Sequence, residues 1–408
     1  MSPLLERPNR SLLWAVLVGG VVMSLALGTR HVQGLFLLPL TADRGWSRES
    51  FSFAMGVQNM VWGLAQPFAG ALADRFGTHK VVMVGVLIYA VGLAIMATAT
   101  HPVVFVLGAG LLIGVALACT TFGVVYGAVS RIAPLQLRAS SQALTGALGG
   151  VGLFLLVPAT QQLQVSLGWP GALLLMAAAI ATLVFTAMAL KDTGTGSGPA
   201  APQQSFRDAI REAGTHRGFW LLNLGFLTCG FQLAFIASHL PAYLLDKGLQ
   251  PQHAVAALAI VGIANVVGTY VCAQLGGVYR RKHVLALLYL ARTAAMALFL
   301  LLPLTPLSLY AFCALMGFMW LGTVPLTNGI VAGIFGVRYI STLFGMVFFG
   351  HQLGGFAGAW LGGWAFDTFG SYDPVWIGAM VLGVVAGALH LLIDDRPAVR
   401  VPRPTLAV

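Results

Sequence analysis

The sequence predicts an all-α integral membrane protein with twelve transmembrane helices in two six-helix halves. Of its 408 residues, 58% are hydrophobic and only 8% charged, with a mean hydropathy of +0.87, whereas a soluble domain is about one quarter charged. The charges fall in short clusters between uncharged stretches of about 20 residues, the length that carries a helix across ~30 Å of hydrocarbon. Those stretches are filled with Leu, Val, Ala and Gly without the strict alternation of ~10-residue barrel strands, so they read as helices.

In chain order the first six spans run from Leu12 to Leu40, Phe51 to Ala73, Val81 to Thr100, Val103 to Ser130, Ser140 to Val165 and Ala172 to Leu190. The second six run from Phe219 to Leu245, Ala254 to Val278, Val284 to Leu304, Leu307 to Phe335, Ser341 to Phe366 and Val375 to Ile393. Between them, the Gly- and Pro-rich segment from Thr193 to Pro202 has linker composition, and the charged stretch from Arg207 to Arg217 suits a short surface helix. The expected organisation is a half at 1–190, a cytoplasmic linker at 191–217, a second half at 218–394 and a cytoplasmic tail at 395–408.

The net charge of +10 and pI of 9.8 would suggest a nucleic-acid partner in a soluble protein, but topology accounts for them. With the N-terminus inside, 17 of the 22 Lys and Arg fall in cytoplasmic loops, while Arg44, Arg48 and Lys247 lie outside. Short loops rich in Lys and Arg stay cytoplasmic, so both termini are expected in the cytoplasm of a cell whose plasma (inner) membrane holds the protein. The bilayer is then the partner and nucleic acid is not; a monomer is expected. The first apolar stretch is too long for a signal-peptide core and contains an arginine. Cys119, Cys229, Cys272 and Cys313 fall within spans without metal-ligand spacing and read as small buried hydrophobes, so no metal and no cofactor is expected.

The two halves carry matching signals at nearly constant offset, the sequence sign of repeat-built transporters. Gly28 and Pro39 in span one correspond to Gly230 and Pro241 in span seven, at an offset of 202. Gly70-Ala-Leu-Ala-Asp74-Arg75-Phe-Gly77-Thr-His-Lys80 follows span two, and Gly276-Gly-Val-Tyr-Arg280-Arg281-Lys282-His283 follows span eight, with Gly277 at the position of Asp74. The first of these segments resembles the signature between spans two and three of the major facilitator superfamily. Gly28-Thr-Arg-His-Val-Gln-Gly-Leu-Phe-Leu-Leu-Pro39 with Gly45-Trp-Ser-Arg48, and His351 to Gly363 with Asp367 and Gly370-Ser-Tyr372, are similar to bacterial monocarboxylate porter-like members. The resemblance implies movement of small organic anions, often with a proton. It also makes Gly70, Asp74, Arg75, Gly77 and Lys80 the expected gating motif, in which small residues let spans approach closely.

Two cations remain inside spans, Arg30 and Arg292. The twelve acidic residues all lie at or near span ends, so neither arginine has an acid beside it in the sequence pattern. A cation at membrane depth costs ~2.5–3.5 kcal/mol and is a functional candidate by default. Because the first span of this fold lines the central cavity and the ninth is scaffold, Arg30 is expected to bind an anion through its guanidinium fork and Arg292 to be structural.

Other polar groups recur at middle depth. Arg30 and Gln33 share one helix face, and Gln58, Trp62 and Gln66 another. Tyr126, Gln232, Asn265, Trp320, Asn328 and Gln352 complete the expected substrate lining; Gln232 is the repeat equivalent of Arg30. Each also has a reading as a helix-packing hydrogen bond. The spans hold no evident Asp or Glu to carry a proton, and span eight lacks the acid and arginine of mammalian-type monocarboxylate carriers. His31, His239 and His351 are therefore the proton-coupling candidates.

No nucleophile with a base, metal cluster or phosphate loop is visible, and no soluble domain can house an ATPase, so an enzyme is not expected. The Gly-rich runs at Gly146 to Gly152 and Gly354 to Gly363 suit helix packing. The expected function is secondary transport of a small organic anion, typically a monocarboxylate, taken up with a proton by alternating access. Anion exchange, efflux of amphiphilic compounds and solute sensing without transport are the alternatives.

Overall fold

The computed structural model describes residues 10–134, 137–191, 206–336 and 339–397. The first span is α1 (Arg10–His31) joined through a 3-10 turn (Val32–Phe36) to α2 (Leu37–Arg44). Then come α3 (Arg48–Phe76) and α4 (Thr78–Thr98). The fourth span is α5 (Pro102–Phe105), a π-helical segment (Val106–Leu112), α6 (Ile113–Thr120) and α7 (Phe122–Ile132). Helix α8 (Arg138–Thr186) carries spans five and six, joined where Gly168 leaves helical geometry at φ 70° and ψ 171°. A short helix α9 (Phe206–Thr215) lies in the charged stretch between the halves.

The second half comprises α10 (Arg217–Asp246), α11 (Pro251–Val278), α12 (Arg281–Leu301), α13 (Pro306–Phe318) with α14 (Thr323–Phe335), α15 (Ile340–Phe369) and α16 (Asp373–Leu391). Among the described residues, nine helical segments are long and apolar enough to cross a membrane. One of these holds spans five and six, and α3 and α15, at 29 and 30 residues, complete the twelve. Proline in the first turn opens α5, α11, α13 and α16, where its missing N–H costs nothing.

Three spans expected to be continuous are interrupted. Span one tightens at Val32–Phe36, span four breaks at Thr121 (φ −123°, ψ −159°), and span ten breaks between Phe318 and Thr323. At span four the freed Leu117 carbonyl accepts from Thr121's own hydroxyl, and at span ten the freed groups are satisfied from neighbouring spans.

The internal repeat is visible in the packing. A Cβ on Gly28 of α1 would lie 2.5 Å from the Gly152 carbonyl oxygen, and one on Gly152 would collide with that of Ser24. In the second half, a Cβ on Gly230 would collide with the His351 carbonyl and one on Gly354 with that of Leu227. Gly152 and Gly354 differ by the same 202 as Gly28 and Gly230. Spans one and five therefore meet as spans seven and eleven do, backbone against backbone, which is what glycine permits in lipid.

The halves meet along α3 with α15 and α8 with α11, and where α10 meets the 3-10 turn of span one. They are tied at the bundle end opposite the central linker. Arg48 Nη1 and Nη2 donate to Asp246 Oδ2 and Oδ1 at 2.5 and 2.8 Å, and Nη1 reaches Tyr372 Oη at 2.8 Å. Asp367 accepts from the backbone N–H of Arg48 (3.2 Å) and Glu49 (2.6 Å), the exposed donors at the start of α3. Trp360 Nε1 donates to Glu49 at 3.0 Å.

Candidate functional site

Arg30 stands in the last turn of α1, where the carbonyl end of a helix favours a cation. Its Nη2 donates to Asn59 Oδ1, and Asn59 is aimed by its own Nδ2 bond to Met55 O, 2.8 Å. The guanidinium carbon lies 5.2 Å from the centre of the Trp62 ring, a cation–π contact. Trp62 is in turn fixed by a 3.0 Å bond to Gln66 Oε1. No carboxylate reaches Arg30 among the described residues, and its buried Nε has no partner. Gln33 Nε2 is likewise buried and unpartnered.

Both face one small space between the halves. Arg30, Gln33, Gln58 and Asn59 line it from the first half, and Ala234, Ala237 and Ser238 from the second. Its volume is about 10 Å³, room for one water at most. In this conformation the site is closed around the guanidinium. Gly34 makes the closure possible, since a side chain there would strike the Ala237 carbonyl and sit 2.9 Å from that of Ser238.

The remaining expected residues divide. Gln58 lines the space yet donates through Nε2 to Ala109 O at 2.6 Å, tying α3 to span four. Tyr126 belongs to an aromatic chain in which Trp62 stacks on Phe122 and Phe122 meets Tyr126, at 6.2 and 5.9 Å between ring centres. Phe348 of α15 joins Trp62 at 5.4 Å. Gln352 is fully buried, accepts from His351 Nδ1 at 3.0 Å and lies against Gly63. Asn328 is half-buried on α14. Gln232 corrects the expectation from the repeat: it turns away from Arg30 and donates to Ala379 O of α16 at 2.9 Å. The repeat preserves its backbone position, but the Ala379 carbonyl on the twelfth span takes its side-chain donor.

Asn265 and Trp320 serve the break in span ten. Asn265 Oδ1 accepts from the Leu321 backbone N–H (3.0 Å) and Thr269 (3.1 Å). Arg292, fully buried, donates through Nη2 to the carbonyls of Met319 and Trp320, the latter at 2.7 Å, and through Nη1 to Cys229 Sγ at 3.3 Å. All four cysteines are buried.

Two of the three histidines are held by backbone. His31 Nε2 donates to Leu258 O at 3.2 Å and His239 Nε2 to Ala359 O at 2.7 Å. His351 is half-buried, with Phe226 and Phe348 on its ring.

In the expected gating motif, Gly77 has φ 94° between α3 and α4, a conformation suited to glycine. Arg75 and Lys80 are exposed; the Asp74 side chain lies outside the described residues. Close approach at Gly70 is not seen, for nothing lies within 4 Å of where its Cβ would be. The halves are drawn together at the opposite end, and the face bearing Gly70 is left uncovered.

Asn59 and the Arg48–Asp246 pair were not among the expected site residues. Asn59 carries the signal that marked Gln58, a polar side chain at membrane depth. Arg48 and Asp246 are separated by 198 residues, and loop charges give no sign of such a partner.

Two related six-helix halves of membrane-spanning helices, meeting beside a half-buried arginine, are the architecture of a multi-pass membrane transporter. The chain belongs to the Major Facilitator Superfamily, whose sequence model matches residues 16–359. It is 28% identical over 406 residues to monocarboxylate transporter 13 of Bos taurus, covering 96% of this chain and 93% of that protein. It is 23% identical over 383 residues to the MFS-type transporter YcxA of Bacillus subtilis, covering 90% and 91%. Among solved structures, a bacterial homologue of the human lysosomal transporter Spinster superposes with a TM-score of 0.75 at 14% identity, covering 95% of this chain and 99% of that one.

Proposed function

We propose that this transporter carries a small organic anion, a monocarboxylate, into the cell together with a proton, and that Arg30 holds the carboxylate. The observation that carries the reading is the state of Arg30: a half-buried arginine with one neutral acceptor, no acid among the described residues, and a buried, unpartnered Nε, lining the same space as Gln33 with its unpartnered Nε2. A carboxylate would accept from both. The name of the bovine relative supports the substrate class. The Lys and Arg distribution supports cytoplasmic termini in a plasma membrane, which makes the Arg48–Asp246 tie the outer gate and the segment around Asp74 and Arg75 part of the inner one. For the proton, His351 is favoured over His31 and His239, because it is half-buried whereas they are buried and bonded to backbone carbonyls.

The test is uptake of labelled L-lactate, pyruvate and longer monocarboxylates by the protein in liposomes, with and without an inward proton gradient. Uptake should rise with the gradient, and Arg30→Ala should lower it by roughly 10- to 100-fold, the worth of a hydrogen bond between charged groups. Absence of carboxylate uptake under every gradient, or full activity of Arg30→Ala, would remove the reading. Uptake that ignores pH and requires internal anion would replace symport by exchange.

A further inference from the structure

The break in span ten is built by three neighbouring helices, and its central group is Arg292, the second arginine within a span and fully buried. In an uninterrupted helix the carbonyls of Met319 and Trp320 would accept from the N–H groups of Thr323 and Val324. Here Val324 N–H turns instead to Leu321 O at 3.0 Å, and Arg292 Nη2 supplies donors to both freed carbonyls. The Leu321 N–H finds Asn265 of α11. Cys229 of α10 closes the ring, with Sγ 3.3 Å from both Arg292 Nη1 and Thr323 Oγ1. A guanidinium at the carbonyl end of α13 meets the partial negative charge of that helix, which explains how a fully buried cation is held here without an acid.

The residue whose carbonyl is fixed in this way reaches the other half. Trp320 is 4% exposed and sets its ring edge-on to His31, at 6.2 Å between centres and 88° between planes. His31 adjoins Arg30 in the chain and bonds to Leu258 O of the second half. We infer that Arg292 is a positioning residue: by capping the broken end of α13 it fixes Trp320 of the second half against His31, the residue next to Arg30 in the first. An aliphatic side chain at 292 leaves two carbonyls without donors, and the turn bearing Trp320 must rearrange to satisfy them. The consequence for transport rests on the reading of Arg30 as the substrate-holding residue; the placement of Trp320 does not.

The test uses the full-length protein in nanodiscs, labelled with 5-fluorotryptophan and observed by fluorine NMR. The Trp320 resonance is identified by its loss in Trp320→Phe. His31→Ala and Arg292→Met should each shift it, and Arg292→Lys should restore most of the shift, since an ammonium can still serve both carbonyls. An unmoved resonance in Arg292→Met overturns the inference. If Arg292→Met disturbs the other tryptophans as well, Asn265→Ala decides, because it frees the Leu321 N–H while keeping the cation: a shift confined to Trp320 supports the inference and an unmoved one overturns it. With L-lactate as probe in liposomes, Arg292→Met should raise the half-saturating concentration about fivefold, the effect of roughly one favourable contact, with the maximal rate within twofold. A fall in maximal rate alone, at unchanged half-saturation, overturns the positioning role. If the unmodified protein carries none of the monocarboxylates tested, the substrate reading fails while the resonance of Trp320 still decides this one.

Discussion

Arg48 at the start of α3 and Asp246 at the end of α10 meet fork to fork, through two N–H···O bonds of 2.5 and 2.8 Å that join the two halves. Their side chains are 14% and 28% exposed, so water screens the pair only in part, and its bidentate geometry places it above an ordinary surface ion pair. Arg48→Ala is predicted to weaken closure at this end by roughly 1–2 kcal/mol, a factor of about 5–30 in the closed population. The measure is the maleimide labelling rate of Ala237→Cys, introduced after the native cysteines are replaced. Asp246→Ala should match it, and exchanging the two charges should recover part of the loss. Equal labelling in all variants would show that the pair does not hold the halves.

A second prediction concerns Gly34. Its missing side chain lets the 3-10 turn of span one rest against the Ala237 and Ser238 carbonyls of α10. Backbone on both sides cannot yield as a flexible side chain can. Gly34→Ala is therefore expected to oppose closure by ~1–3 kcal/mol, the usual cost of overpacking, while leaving each half intact. It should raise labelling at Ala237→Cys without lowering helix content by circular dichroism. Unchanged labelling would mean that the contact is loose.

The spans were legible because charge at membrane depth is so costly that composition alone marks their limits. Arg30 was legible for the same reason, as a cation with no acid in its setting. The break in span ten was not, since what makes it tolerable is side chains from elsewhere: Arg292 and Asn265 lie 27 and 56 residues from the atoms they satisfy. Gln232 shows the limit of the repeat, which transfers a backbone position and not the carbonyl that a side chain finds there. Gly70 shows another limit. A motif can name a gating segment without saying which conformation brings it into contact.

A pH dependence is expected outside the membrane, where the chain leaves α16. The Asp395 carboxyl is held below its usual range, chiefly by the hydrogen bond from Arg280 at 2.5 Å, and that bond also raises Arg280. For a carboxyl depressed in the folded state, the stabilisation is complete above the unfolded value near 3.9 and disappears as pH falls through the lower folded one. The attachment of this segment should thus be constant from neutral pH to about 5 and loosen only in stronger acid. A nitroxide on Asp394→Cys should report that profile, with Asp395→Asn mobile throughout. Loosening already at pH 6 would contradict it.

Gly230 and Gly70 make opposite predictions from the same residue type. A Cβ at Gly230 would enter the His351 carbonyl of α15, where two helices touch through backbone, so Gly230→Ala should cost at least ~1–3 kcal/mol and lower the melting temperature. At Gly70 nothing stands within 4 Å, and alanine is the better helix former by ~1 kcal/mol, so Gly70→Ala should melt no lower than the unmodified protein. Its transport should nevertheless slow if the uncovered face must close against the other half during turnover. Thermal melting and initial uptake rates, measured on the same preparations, separate the two effects. Should Gly70→Ala keep both its melting temperature and its full rate, glycine at that position has no steric role in either conformation, and the gating function would rest on the charged residues that follow it.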